Sequence, residues 1–122
     1  MKLHLVLLSN DPERVYPALT FALAAATMGD EAHLYCTMGG LDVLHPERRA
    51  AIQLEGMPPV ERYLKDALAA GVHVNACGPS KEMLEQMGFN EDILDEGVGL
   101  EDVTGFLLNL KPVGPDTLLS FI

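Results

Sequence analysis

The chain has 122 residues, of which 48% are apolar and 21% are charged, so it has the size and composition of one folded domain. Two domains and a disordered chain are therefore excluded. Its 18 acidic residues outnumber its 8 basic residues, and the net charge is −10. Binding to nucleic acid or to anionic lipid needs basic patches, so the composition excludes both as main partners.

The apolar segments and the cysteines indicate where the protein works. The run at 3–8 is too short for the apolar region of a secretory signal, and it leads into Ser9-Asn10-Asp11-Pro12. The next apolar stretch, at 15–28, is too short to span a bilayer, so we expect no stable membrane insertion. Cys36 and Cys77 have no CxxC spacing, which argues against a disulfide framework and a zinc site. We expect a cytoplasmic protein.

The first third of the chain predicts a strand, a helix and a second strand. The continuous apolar run at 3–8 is typical of a strand buried on both faces. Asp11 and Pro12 have the pattern of a helix cap and first residue, but Pro17 predicts a loose first turn or a start near Val15. This helix should end at Met28-Gly29, and its alanine-rich sequence leaves almost no polar stripe, so it should be covered on more than one side.

The middle of the chain predicts two further crossovers. The second strand covers 32–37, followed by a loop from Met38 and a weakly helical stretch near 49–54. A helix with a clear apolar stripe begins at Pro58-Pro59 and ends at Gly71. The third strand covers 72–77, and a turn with Ser80 as possible N-cap leads to a short helix that ends at Gly88.

The last third predicts a weak strand near Val98, a helix over 100–110 and a final strand over 117–122. Strands that alternate with helices imply right-handed crossovers and a sheet covered on both faces. The predicted fold class is α/β: a single three-layer α/β/α domain over 1–122 with a mostly parallel, doubly wound sheet of about five strands.

Ligands of such sheets bind beyond the carboxyl ends of the strands, because loops and helix starts meet there. None of these loops has the GxGxxG spacing of a dinucleotide site. We expect one shallow pocket around the third strand's end, formed by Cys77 with the pocket or supporting residues Ser9, Asn10, Cys36, Met38, Gly39, Gly40, Gly78 and Ser80.

Cys77 is the candidate reactive residue. It lies just before a predicted helix start, whose amides would stabilise a thiolate, and Gly78 would leave room for an incoming group. The alternative interpretation is a small buried residue at a strand end. Cys36 has no comparable helix start and is interpreted as a core residue.

The histidines are far apart in the sequence, at His4, His33, His45 and His73. None is paired with a carboxylate or another histidine at ligand spacing, so no metal site is predicted. A cysteine-histidine hydrolase would need a histidine near Cys77, and His45, in the loop after the second strand, is the one to test.

Three segments resemble the DsrE/DsrF/TusD-type sulfur-relay family. Residues 22–44 are similar to its alanine-rich helix, glycine turn, strand and Met-Gly-Gly-Leu loop. Residues 70–78 end in Ala76-Cys77-Gly78, where the family has its sulfur-carrying cysteine, and 116–122 resemble its last strand. The cysteine followed by Ser80 and a methionine-bearing helix is similar to the stand-alone, "peroxiredoxin-like" DsrE branch.

The resemblance implies that Cys77 carries a sulfane sulfur as a persulfide and passes it to an acceptor thiol, without a metal or organic cofactor. It also implies a homo-oligomer and a small sulfur-carrier or rhodanese-type protein as partner. Two other functions stay open: a non-enzymatic module that binds a small ligand or regulates, and a thiol redox sensor. The sensor would use Cys36 as resolving residue, which needs adjacent strands or a mobile loop.

Overall fold

The computed structural model describes residues 1–78, 81–89 and 93–122, without the side chains at 81 and 83. Within these ranges, five strands form one parallel sheet, and the predicted α/β class is confirmed. The strands are β1 (Lys2–Leu7), β2 (Glu31–Cys36), β3 (His73–Cys77), β4 (Gly99–Glu101) and β5 (Thr117–Phe121). Their order in the sheet is β4-β3-β2-β1-β5, so β4 and β5 are the edge strands.

The helices lie on both faces of the sheet. They are α1 (Pro12–Thr27), a 3-10 helix (Met38–Leu44), α2 (Pro46–Arg49), α3 (Val60–Ala69), α4 (Lys81–Gln86) and α5 (Val103–Leu110). From β1 to β4 the chain moves in one direction, so right-handed crossovers put α1 and α3 on one face. The return from β4 to β5 puts α5 on the other. Of the described helices, none is long and apolar enough to cross a membrane.

Helix α1 begins earlier than the position of Pro17 suggests. The Asp11 carboxylate accepts a hydrogen bond from the Glu13 amide at 2.9 Å and caps a helix that starts at Pro12, so the expected start near Val15 is wrong. Pro17 lies inside the helix and is exposed. Its ring and the missing amide therefore affect the solvent side of the helix, where water can satisfy the free carbonyl.

Three other segments differ from the sequence-based expectation. Residues 38–44 form a 3-10 helix instead of a loop, and the helical stretch expected near 49–54 is the shorter α2 over 46–49. Leu100 belongs to β4, so the last helix starts at Val103. There the Asp102 carboxylate accepts a hydrogen bond from the Gly105 amide at 2.7 Å and sets the start of α5.

The two faces of the sheet are buried against different partners. The main core lies on the α1 and α3 side and includes Leu5, Leu34 and Val74. On the α5 side a small cluster of Val6, Tyr35 and Phe106 is buried, and Cys77 packs against it. Because side chains alternate along a strand, neighbouring residues such as Tyr35 and Cys36 enter different environments.

Candidate functional site

The loops after β1 and β2 meet at the carboxyl edge of the sheet. A Cβ atom added to Gly39 would lie 3.1 Å from the Asn10 amide nitrogen and 3.5 Å from the Ser9 carbonyl carbon. Gly40 is closer still to β1, since its Cβ would lie 2.8 Å from the Leu7 carbonyl carbon. The structure therefore brings Ser9, Asn10, Gly39 and Gly40 together, and glycine is required for the closest approach.

Met38 makes the turn that allows this approach. It has a φ of +52°, in the left-handed region that non-glycine residues rarely adopt. The side chain of Met38 is 73% exposed, and the chain behind it enters the main core through Leu41 and Val43. The edge thus presents an exposed thioether on a constrained backbone.

Cys77 is the last residue of β3 and lies opposite Glu101 in the register with β4. Its side chain is half-buried and packs against the cluster on the α5 side of the sheet. The Tyr35 hydroxyl donates a hydrogen bond to the Glu101 carbonyl oxygen at 3.0 Å, and Tyr35 belongs to the cluster against which Cys77 packs. Burial, and after it the hydrogen bond with Cys77, holds the pKa of Tyr35 above its usual range.

The protonated Tyr35 hydroxyl can serve either of two acceptors. It has one proton, and a thiolate is a stronger acceptor than a neutral carbonyl because a charged partner strengthens a hydrogen bond. Rotation of the O–H bond from Glu101 to the sulfur would therefore stabilise an anion on Cys77. The sequence-based selection missed Tyr35 and named the next residue, Cys36. The two-residue alternation of β2 was the signal that could have distinguished them, because it puts Tyr35 and Cys36 on opposite faces of the sheet.

Cys36 lies on the opposite side of the sheet from Cys77. It is 0% exposed, is aligned with Ala76 of β3 and belongs to the main core. Burial raises the pKa of the Cys36 thiol to about 12, so it stays protonated near neutral pH. β2 and β3 are adjacent, but the two Cβ atoms point to opposite faces, a geometry that a disulfide cannot bridge without backbone movement.

Gly78 does not leave space for an incoming group, so that expectation is wrong. A Cβ there would lie 2.6 Å from Leu100 Cδ1 and 3.0 Å from Leu84 Cγ, because these two side chains already fill the space. The Gly78 amide donates a hydrogen bond to the Glu101 carbonyl at 3.2 Å. Glycine here permits close packing at the strand end. The expected N-cap, Ser80, lies outside the described residues.

His45 has a local structural role. Its Nδ1 accepts hydrogen bonds from the backbone amides of Glu47 at 3.3 Å and Arg48 at 3.4 Å, and so caps α2. Its ring also meets Phe89 edge-on, with 5.2 Å between the ring centroids. These contacts account for a histidine after β2 without chemistry at Cys77.

The other three histidines form a row across the α5 side of the sheet. His4, His33 and His73 are neighbours in the register of β1, β2 and β3, and their rings stack at centroid distances of 4.2 Å and 4.6 Å. Glu31 lies beside the row, with its Oε2 atom 3.0 Å from His33 Nε2. Burial lowers the pKa of His4 to about 4 and also lowers that of His33, so both rings are neutral near pH 7.

Comparison with known proteins adds no family to this description. No model of a known protein family matches the chain, and no curated protein matches its sequence. What the site can do is therefore inferred from Cys77, Tyr35 and the sheet edge that holds them.

Proposed function

We propose that the protein is a sulfur carrier that holds a sulfane sulfur as a persulfide on Cys77. The Cys77 thiolate attacks the outer sulfur of a donor persulfide or polysulfide. A new S–S bond forms on Cys77 as the donor's own S–S bond breaks, and the donor leaves as a thiolate. An acceptor thiolate then attacks the outer sulfur and Cys77 leaves as a thiolate, so no net oxidation occurs and no cofactor is required.

The packing of the half-buried Cys77 against the cluster that contains Tyr35 is the observation that carries this proposal. Each transfer step begins or ends with an anionic sulfur on Cys77, and a hydroxyl that keeps its proton can donate to that anion. Cys36 has the opposite environment, since it is fully buried and its pKa is raised to about 12. These environments favour Cys77 as the sulfur-carrying residue and Cys36 as a packing residue.

The half-buried position of Cys77 suits transfer between proteins. A persulfide there would extend from the strand end, and an acceptor cysteine on a small protein could reach its outer sulfur. The resemblance to DsrE-type proteins favours a small sulfur carrier or a rhodanese-type protein as partner. It also favours a cytoplasmic location, where thiols stay reduced.

Alkylation tests whether Cys77 has this reactivity. Near neutral pH, iodoacetamide should modify Cys77 well before Cys36, as measured by site-resolved mass spectrometry. Tyr35→Phe should slow the modification of Cys77 roughly fivefold to tenfold, because the thiolate loses a donor worth about 1–1.5 kcal/mol. Tyr63→Phe, on α3, is the matched control and should react like the wild type.

Equal modification of both cysteines, or an unchanged rate in the Tyr35→Phe protein, would count against the carrier. The alternative of a module that binds a small ligand, with Cys77 as a packing residue, would then be the better interpretation.

A second copy of the chain is the partner we propose for the surface formed by α5 and β5. Five apolar side chains are exposed on the α5 side of the sheet: Val103, Leu107, Leu108, Leu119 and Phe121. The sequences of α5 and β5 contain no charged residue, although the chain has a net charge of −10. An uncharged apolar surface on an acidic protein favours association between copies, where like charges would otherwise repel.

Light scattering at micromolar concentration should therefore give a mass of at least two chains. Leu108→Glu on α5, which is 64% exposed, should shift the protein to monomer. Phe21→Glu on α1, which is 65% exposed, is the matched control and should not. A monomeric wild type would refute the oligomer, and dissociation by Phe21→Glu alone would place the interface on α1.

A further inference from the structure

Glu31, His4 and His33 form a cluster on the α5 side of the sheet. The alternation of β2 puts Glu31 and His33 on the same face, and His4 lies beside His33 in the register with β1. One side-chain nitrogen or oxygen from each of the three residues lies within 4.8 Å of the others. The cluster thus joins two imidazoles and one carboxylate that are distant in sequence.

His4 is the unusual member of the cluster. Its side chain is 0% exposed, and within the described part of the chain neither Nδ1 nor Nε2 has a hydrogen-bond partner. A buried polar group without a partner costs about 1–3 kcal/mol, so such groups in folded proteins are normally satisfied by another protein group or by water, and an exception can mark the site of a bound ion. Phe106 meets the ring edge-on at 5.7 Å and supplies no acceptor or donor.

We propose that His4, His33 and Glu31 bind a divalent first-row transition-metal ion of the zinc class. Two neutral imidazoles and a carboxylate are ligands that zinc accepts, and three protein ligands leave a coordination position for water or a small ligand. The ion would be coordinated by one of the two unpartnered nitrogens of His4. This site is distinct from the sulfur carrier and does not depend on it.

Binding requires only side-chain movement. Zinc–ligand bonds of about 2.0–2.1 Å place ligand atoms roughly 3.3 Å apart, so the three atoms must approach one another by about 1.5 Å at most. Glu31 is exposed and His33 half-buried, and both can rotate toward the fixed His4. When the ion binds, His4 and His33 give up their parallel stacking and become ligands of the same ion.

One cation already lies near the carboxylate. Lys2 Nζ is 3.9 Å from Glu31 Oε2 and donates a hydrogen bond to the Leu110 carbonyl at 3.3 Å. The contact of Lys2 with Glu31 is the longer of the two. A bound ion can therefore replace Lys2 as the partner of the Glu31 carboxylate, while Lys2 keeps its hydrogen bond to the Leu110 carbonyl.

The cluster lies near the amino ends of the strands. His73, next in the row, is four residues before Cys77, about 13 Å along an extended strand.

Zinc titration of chelator-treated protein by isothermal calorimetry tests the site. We expect one zinc per chain and a raised thermal unfolding midpoint on addition of the ion. Glu31→Gln, an exposed change that preserves the fold, should weaken zinc binding at least about tenfold. His4→Leu should abolish it. His45→Asn, which keeps a good helix cap, is the matched control and should bind zinc like the wild type.

The thiols are the competing ligands, and Cys77→Ser separates them from the proposed site. Zinc binding that survives in Cys77→Ser and is lost in Glu31→Gln supports the cluster. Binding that is lost in Cys77→Ser, or is unchanged in both Glu31→Gln and His4→Leu, would overturn it, as would a wild type that takes up no zinc. Sulfur loading on Cys77 is measured separately and can succeed or fail independently of this result.

Discussion

Replacing Gly40 by alanine is expected to destabilise the fold by about 3 kcal/mol or more. The added Cβ would overlap the Leu7 carbonyl group of β1 and would also lie 3.1 Å from the Leu7 Cγ atom. The nearest atoms are backbone atoms of a central strand, which cannot move aside as a flexible side chain can. Urea unfolding followed by circular dichroism should show a lower midpoint, with the thermal midpoint falling on the order of 10 °C.

Two other glycines supply a graded control. At Gly39 the added Cβ would lie 3.1 Å from the Asn10 amide nitrogen, so Gly39→Ala should cost less than Gly40→Ala. At Gly114 the added Cβ would have no atom of the described residues within 4 Å apart from its chain neighbours, and Gly114→Ala should change stability by no more than about 0.5 kcal/mol. If Gly40→Ala unfolds like Gly114→Ala, the 3-10 helix over 38–44 does not pack on β1 as described.

The order of the elements along the chain could be predicted because it depends on local patterns. The apolar run at 3–8 is bounded by Ser9-Asn10-Asp11, and the cap at Asp11 is visible in the sequence alone. Both predictions are confirmed by β1 and α1. The start near Val15 is wrong because Pro17 lies on the exposed side of the helix, where its cost is small, and the Asp11 cap determines where α1 begins.

Strand order and lateral contacts could not be predicted from such patterns. Strand neighbours and other lateral contacts are decided by packing between residues far apart in sequence. One such contact is the ion pair of the buried Arg49 with Asp95, which are 46 positions apart. The histidine row is invisible in the sequence for the same reason, since each member lies on a different strand.

The candidate site was predictable in part. Parallel topology places the ends of β1, β2 and β3 at one edge, and the structure brings Ser9 and Asn10 to Gly39 there. The face of the sheet on which each side chain lies could be known only from the register of the strands. The register turns Cys77 toward Tyr35 and α5, and turns Cys36 into the main core. The space at Gly78 depended on Leu84 and Leu100, which approach from elements whose position no local pattern specifies.

Replacing Cys77 by serine is expected to remove sulfur loading completely, whereas replacing Cys36 should largely keep it. Cys77 is half-buried beside a hydroxyl donor, and only its thiolate can attack a sulfane sulfur. Cys36 is fully buried and protonated, and its replacement by serine mainly affects the core. The Cys36→Ser protein must therefore be shown to be folded before its loading is compared with that of the wild type.

The most direct measurement is intact-mass spectrometry of the reduced protein after incubation with polysulfide, or with thiosulfate and a rhodanese. The sulfur-carrier proposal predicts that the wild type and Cys36→Ser gain the mass of one or more sulfur atoms, that a reductant removes it, and that Cys77→Ser gains none. Loading of Cys77→Ser to the wild-type level, or a wild type that loads with no donor, would contradict it.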